Sequence, residues 1–361
     1  MRLVSASTVK PGAIIAKAIY NEKGQILLNE DVILTEGIIC RLKESGIHNL
    51  LIKDKQTEDI QFTGTIPDSL RREAIQTINA TFSELQNNKQ LNSAFVLEKA
   101  SKWFSELVRN LIIEINGAEE LMSLLSEAYS YDNYIFSHSL NVTLYSLAIG
   151  IQLKLPQKEL EILGMGAIFH DIGKLKVPLE VLLKPGKLTD VEFLSIRSHA
   201  EEGFNILRKT QTIPLLVSHC AFQHHERLNG SGYPRGIKGE DIHYFAKILA
   251  VADVYDAVTS NRVYRKAMLP HEGLEILYSG AEKLFDGTIV DAFRRSVAIY
   301  PVGMTVRLND GRKGVVSKQN IGLGDRPIVR ILEENNVNVQ PYELDLKQEL
   351  TVIIIECDTS F

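Results

Sequence analysis

Seven side chains in the middle of the chain have the types expected of metal ligands: His138 in YIFSHSLNV, the His170-Asp171 pair in AIFHDIGK, His199 in RSHAEEG, the His224-His225 pair in QHHERLNGSGYP, and Asp253 in ILAVADVYDAV. The remaining four of nine histidines, His48, His219, His243 and His271, have no such neighbours. His138 stands among Leu140, Val142, Leu144, Leu147 and Ile149, and a buried imidazole needs partners for both ring nitrogens. A metal ion satisfies one nitrogen, and a hydrogen-bond acceptor behind the ring satisfies the other. His170 follows GMGAIF, whose small side chains let helices approach closely. Asp253 follows a wholly apolar run, where an unpaired carboxylate is costly and calls for a cation.

Five imidazoles and two carboxylates exceed the four donors of one tetrahedral zinc. They suffice for two octahedral ions that share a carboxylate and leave positions for water. Nitrogen and oxygen donors without thiolate suit iron, manganese or another first-row ion. Two such ions would activate a water and clamp the oxygens of an in-line displacement at phosphorus, so the chemistry read here is metal-assisted phosphoester hydrolysis. Lys174 is expected one helical turn beyond His170 and Asp171. Arg262 and Arg265 follow Asp253 in NRVYRKA. These three cations would hold phosphate, the arginines through paired hydrogen bonds that a lysine cannot make.

The elements that must position these groups are helices. From about Ser126 to Ile299 the pattern is helical, broken by short loops at Pro156, Pro178, Pro185, Pro214 and Pro270. The segment from Asn229 to Gly236 is rich in glycine, so the chain can leave the helix bearing His224 and His225 and fold close to the site. Tyr233, within it, either stacks on a base or packs. Residues 1–56 predict a small α+β domain, with strands in AIIAKAIY, ILL and IHNLLIK around one helix and a turn at NEKGQ. Residues 57–125 predict a helical connector: a polar stretch over 57–65, then helix from Pro67 to about Ala128. There Leu70, Ala74, Ile78, Phe82 and Leu85 form one apolar stripe, and Leu97, Ala100, Phe104, Leu107 and Leu111 another. The second stripe suits packing within the chain or the seam of a homodimer. Residues 300–361 predict a small β-rich domain, with an Asp310-Gly311 turn and TVIIIEC as a buried strand. The fold class is multidomain and mainly α.

At 361 residues the chain is too long for one ordinary core. Apolar residues at 45% and charged residues at 24% are those of a soluble globular protein. A net charge of -5 gives no overall reason to bind DNA, RNA or an anionic membrane, so an anionic ligand must meet a local cluster of cations. The start has no signal-peptide core and no apolar run reaches transmembrane length, which predicts a cytoplasmic protein without a membrane span. Cys40, Cys220 and Cys357 lie far apart and read as free thiols of a reducing compartment.

With these residues in hand, the stretch from about Ser126 to Ile299 resembles the HD-GYP domain, a branch of the HD superfamily of metal-dependent phosphohydrolases. HDIGK at 170–174 matches the HD signature, and HHERLNGSGYPRGIKGEDI at 224–242 matches the extended GYP signature. LLKPGKLT and VADVYDAVTSNRVYRKA match further motifs of the family. The resemblance implies an all-α catalytic domain over 126–299. It implies His138, His170, Asp171, His199, His224, His225 and Asp253 as metal ligands, with Asp171 as the bridge. It implies Lys174, Arg262 and Arg265 as phosphate contacts and Tyr233 as a residue shaping the site. Some members carry a ligand glutamate four residues before the first histidine; that position here is Tyr134, so two metals are expected. The implied activity is hydrolysis of cyclic di-GMP, a bacterial second messenger, to linear pGpG and onward to GMP in some members. Two alternatives stay open: a module that binds cyclic di-GMP and signals without turnover, and a hydrolase of another cyclic dinucleotide or phosphoester.

Overall fold

The computed structural model describes residues 1–20, 25–45, 47, 49–60, 66–87, 93–117, 121–122, 134–184, 186–260, 268–320 and 322–357. Arg262, Arg265, His48, Pro185, the expected turn at 21–24, the polar stretch at 61–65 and the expected helix and boundary around residue 126 lie outside the described residues.

The N-terminal region contains β1 (Arg2–Ser5), β2 (Ile14–Ile15), β3 (Ile19–Tyr20), β4 (Ile26–Leu28), α1 (Glu36–Glu44) and β5 (Asn49–Lys53). β5 is the central strand of an antiparallel β1-β5-β2 sheet, in which Arg2 opposes Ile52 and Ile14 opposes Lys53. Thr35 caps α1 by accepting from the Ile38 amide, and Ile39 and Leu42 on the buried face join Val4, Ile15, Leu34 and Leu50 in a small core.

Two long helices follow, α2 (Asp68–Asn87) and α3 (Ser93–Gly117). Both expected stripes face inward: Ala74, Ile78 and Phe82 from α2, and Leu97, Phe104, Leu107 and Leu111 from α3, are buried in the main core. The second stripe is thus covered by the chain's own core. Phe169 lies stacked near Phe82, with centroids 6.3 Å apart, and edge-on to Phe104 at 4.8 Å. These contacts anchor the chain immediately before His170.

A two-residue strand, β6 (Leu121–Met122), precedes the helical region, which comprises α4 (Tyr134–Gln152), α5 (Gln157–Phe169), α6 (Leu179–Leu182), α7 (Asp190–Arg197), α8 (His199–Leu207), α9 (Leu215–Gln223), α10 (Tyr244–Thr259), α11 (Pro270–Ser279) and α12 (Gly287–Ser296). α10 is buried along most of its length, as its apolar composition on every side requires. It packs on α4, α9 and α11, while α5 packs on α4 and α9. No helix among the described residues is long and apolar enough to cross a membrane.

The chain ends in β7 (Val297–Ala298), β8 (Thr305–Leu308), β9 (Lys313–Lys318), β10 (Ile328–Glu334), β11 (Val337–Asp345) and β12 (Ile354–Cys357). The last five form an antiparallel sheet in the order β11-β10-β9-β8-β12. The expected Asp310-Gly311 turn joins β8 to β9, with Gly311 at φ +88°. The molecule is mainly helical, with a small sheet region toward its C-terminus.

Three expectations need correction. Leu121–Met122 is not helical: it pairs in parallel with Val297–Ala298, a partner that only the tertiary fold supplies. The same pairing makes Val297–Ala298 a strand inside a stretch read as all helix. TVIIIEC is not buried throughout, because β12 begins at Ile354 on the edge of its sheet and Ile353 is 45% exposed.

Candidate metal centre

α5 ends at Phe169, so His170 is its C-cap and Lys174 lies on a 3-10 turn, Ile172–Lys176, rather than one α-turn further along a continuous helix. The tighter turn still brings Lys174 Nζ onto Asp171 Oδ2. Its close packing on the next helix has a visible cause. A Cβ on Gly173 would stand 1.9 Å from the His199 carbonyl oxygen, so only glycine lets this turn lie against the start of α8. Asp171 and His199 are neighbours because Gly173 has no side chain.

Asp171 sits at the centre. Its Oδ2 is 3.4 Å from both His138 Nε2 and His170 Nε2, and its Oδ1 is 3.4 Å from His199 Nε2 and 3.9 Å from His224 Nε2. The donors fall into two groups, His138, His170 and Asp171 on one side, and Asp171, His199, His224 and His225 on the other. Asp253 spans both: Oδ1 is 3.3 Å from His138 Nε2, and Oδ2 is 3.8 Å from His225 Nδ1. All of these residues are buried except His225, whose side chain is 20% exposed.

Hydrogen bonds behind the rings aim them inward. The Nδ1 atoms of His170, His199 and His224 donate to the carbonyls of Ala167 (2.7 Å), Ile196 (2.6 Å) and Ala221 (2.9 Å). That tautomer leaves each Nε2 with a lone pair facing the cluster. His138 and His170 then oppose Nε2 to Nε2 at 3.3 Å, and His199 and His224 do so at 3.2 Å. A shared proton or a shared metal ion satisfies both nitrogens at that separation. Asp171 Oδ1 is buried with no hydrogen-bond donor, a lack that a bound metal ion would satisfy.

The electrostatics favour ligating protonation states. Burial alone would raise the Asp171 carboxyl, but the Lys174 ammonium and the imidazoles of His170 and His138 hold it well below the ordinary carboxylate range. At Asp253 burial is likewise overcome, here by His138 and His225. Burial, reinforced by neighbouring imidazoles, pushes His224 and His225 well below the usual histidine value, and burial lowers His199 too. Anionic Asp171 and Asp253 beside depressed His199, His224 and His225 are in the forms that bind metal. The donors present fit a divalent ion.

Tyr233 stacks on His225, with centroids 4.5 Å apart, and lies edge-on to His199 at 6.2 Å. Its ring packs at the site. A Cβ on Gly232 would come within 2.4 Å of the His225 carbonyl oxygen, so this glycine lets the loop fold onto the chain following α9. Three other histidines are engaged elsewhere. His243 Nδ1 caps α10 by accepting from the Phe245 amide, His271 meets the Tyr300 hydroxyl, and His219 packs edge-on to Phe204.

Sequence reasoning missed Asp256, Asn141 and Arg197. Asp256 Oδ2 accepts from His138 Nδ1 at 2.7 Å, and its Oδ1 accepts from Asn141 Nδ2 at 2.9 Å. Their signal is spacing: Asp256 lies three residues after Asp253, and Asn141 three after His138, so each pair shares a helix face. The Arg197 guanidinium lies 4.6 Å from the centre of the Tyr233 ring, a contact with no local signature.

Helices that close over a buried histidine and aspartate cluster around an HD pair define an HD-type metal-binding domain, and a family model described as HD domain matches residues 118–289. A cyclic di-GMP phosphodiesterase of Pseudomonas aeruginosa is 37% identical over 233 residues, which cover 64% of this chain and 55% of the relative. A cyclic di-GMP phosphodiesterase of Thermotoga maritima is 34% identical over 257 residues, covering 71% of this chain and 67% of the relative. The solved structure of an HDG"Y"P protein from Bdellovibrio bacteriovorus aligns with a TM-score of 0.46 at 16% identity, covering 81% of this chain and 97% of that one. The chain spans about half the length of the Pseudomonas relative. It belongs to the HD-GYP family.

Proposed function

We propose that this chain is a metal-dependent phosphodiesterase that hydrolyses cyclic di-GMP to linear pGpG, with GMP as a further product. The observation that carries this reading is the placement of Asp171 between two groups of imidazoles, supported by the activity named for the Pseudomonas and Thermotoga relatives. His138, His170, Asp171 and Asp253 would hold one ion, and Asp171, His199, His224 and His225 a second, with Asp171 as the bridge. Iron or manganese suits these donors. When bound, the ions supply an activated water and neutralise charge on the phosphoryl oxygens. Lys174 presents an ammonium to a substrate phosphate, and Arg262 and Arg265 are assigned to the same task. Tyr233 shapes the wall beside His225.

Further parts of this reading concern the whole chain. The catalytic domain is assigned to residues 126–299, flanked by domains at 1–56 and 300–361 and a connector at 57–125 that regulate it or join two copies. The protein is assigned to the cytoplasm, with signal transduction as its role.

The test is metal content of the anaerobically purified full chain, followed by chromatography of cyclic di-GMP incubations. Two equivalents of metal and release of pGpG are expected. Asp171→Ala should abolish turnover; a variant that still cleaved would refute the assigned bridge. A wild-type chain that binds the dinucleotide tightly without cleaving it would establish the signalling module instead, and faster cleavage of a different cyclic dinucleotide would reassign the substrate.

A further inference from the structure

The four imidazoles around Asp171 are not backed alike. His170, His199 and His224 each stand at or just beyond the end of a helix, and each donates its Nδ1 proton to a carbonyl of the preceding turn. Helix ends leave such carbonyls without intrahelical partners, so a neutral acceptor is already in place. His138 lies within α4, where the carbonyls of the preceding turn are committed to the helix. Its acceptor is brought from another helix, and it is a carboxylate.

That carboxylate is Asp256, one turn beyond Asp253 on α10. The two aspartates grip opposite edges of one ring: Asp253 Oδ1 faces Nε2 at 3.3 Å and Asp256 Oδ2 accepts from Nδ1 at 2.7 Å. Asn141, one turn beyond His138 on α4, donates to the other oxygen of Asp256 at 2.9 Å and so orients the carboxylate. Both His138 and Asp256 are buried, at 1% and 2% exposure, where water cannot substitute for either. A carboxylate behind an imidazole makes the opposite nitrogen a stronger metal donor than a carbonyl does.

We propose that Asp256 is a positioning residue that supports one ion of the pair selectively, the one held by His138 and His170, so that the centre is asymmetric and its two ions can be removed separately. This rests on the two-ion reading above. The three carbonyl-backed imidazoles draw nothing from Asp256, and the His199, His224 and His225 side keeps its donors without it.

The experiment is titration of the metal-free full chain with Co2+, followed by calorimetry and by visible absorption of the bound ion. In Asp256→Asn, which keeps the shape and removes the charge, one of two Co2+ equivalents should weaken about 10- to 100-fold while the other stays within about two-fold. Asn141→Ala, which keeps the carboxylate but frees its orientation, should weaken the same equivalent by less and serves if Asp256→Asn does not fold. His199→Ala should weaken the other equivalent. Unchanged binding in both Asp256→Asn and Asn141→Ala, or parallel loss of both equivalents in correctly folded variants, overturns the proposal alone. A wild-type chain that takes up one Co2+ or none overturns the two-ion centre and this proposal with it.

Discussion

Lys174 reaches Asp171 across a single 3-10 turn, and its side chain is 20% exposed while that of Asp171 is only 1% exposed. The ammonium therefore faces two ways: inward, where it helps keep Asp171 anionic, and outward, where the proposed phosphate contact would lie. Lys174→Ala is expected to lower kcat/KM for the dinucleotide roughly thirty-fold, since a hydrogen bond to a charged group is worth about 2 kcal/mol. Steady-state kinetics on the full chain, with metal content measured alongside, checks this. A variant that loses its metal instead would place Lys174 in the integrity of the centre rather than in substrate contact. Tyr233 contributes its ring: burial pushes its phenol well up, so it stays protonated and brings no charge to the site.

Helix ends do much of the positioning. His170 and His224 are C-caps of α5 and α9, and His199 opens α8. A ligand at a helix end finds a free carbonyl for its outer nitrogen, and the break in the helix turns its ring toward the centre. Gly173 makes this arrangement compact by letting the turn after Asp171 touch the backbone of His199. Gly173→Ala is expected to lower stability by about 1–3 kcal/mol through overpacking. Because the clash is with backbone, it should also separate Asp171 from His199. Thermal unfolding of the metal-free chain together with Co2+ uptake tests both effects. A variant with wild-type melting and full uptake would show that the turn can move aside.

The two ends of the chain meet. Leu3 donates its amide to Gly303 O at 2.7 Å, Thr305 Oγ1 donates to Leu3 O at 2.7 Å, and Ile60 packs with Val315 and Leu332. The main core is continuous from Leu3 and Leu51 through the helices to Val306, Ile331 and Ile354 of the C-terminal sheet. Across this junction Arg330 grips Asp59 through two hydrogen bonds, 2.5 and 2.8 Å long, and holds its carboxyl down at about 2. A carboxyl lowered on folding stabilises the folded state above its unfolded value of about 4, and that contribution fades as pH falls toward the folded value. Asp59→Asn should therefore melt below wild type at neutral pH, with the gap narrowing below about pH 4 and shrinking with added salt. The effect is small because the Asp59 side chain is 67% exposed. A gap that stayed constant from pH 6 to pH 3 would contradict the assignment.

Residue type and local order carried much of this protein's description. The HD pair, the HH pair and Asp253 after its apolar run pointed to one buried cluster because imidazole and carboxylate in apolar surroundings need partners. The stripes of α2 and α3 were readable because helical periodicity is local, and the Asp310-Gly311 turn because backbone preference is local. What only the tertiary structure decided was everything that depends on two distant segments meeting. β6 exists because Val297–Ala298 lies beside it, and the backing of His138 comes from Asp256, 118 residues away. The division of the donors about the two oxygens of Asp171 arises the same way. Side-chain chemistry is written in each residue, whereas the pairing of one residue with another follows from how the helices pack, and no spacing along the chain encodes that distance.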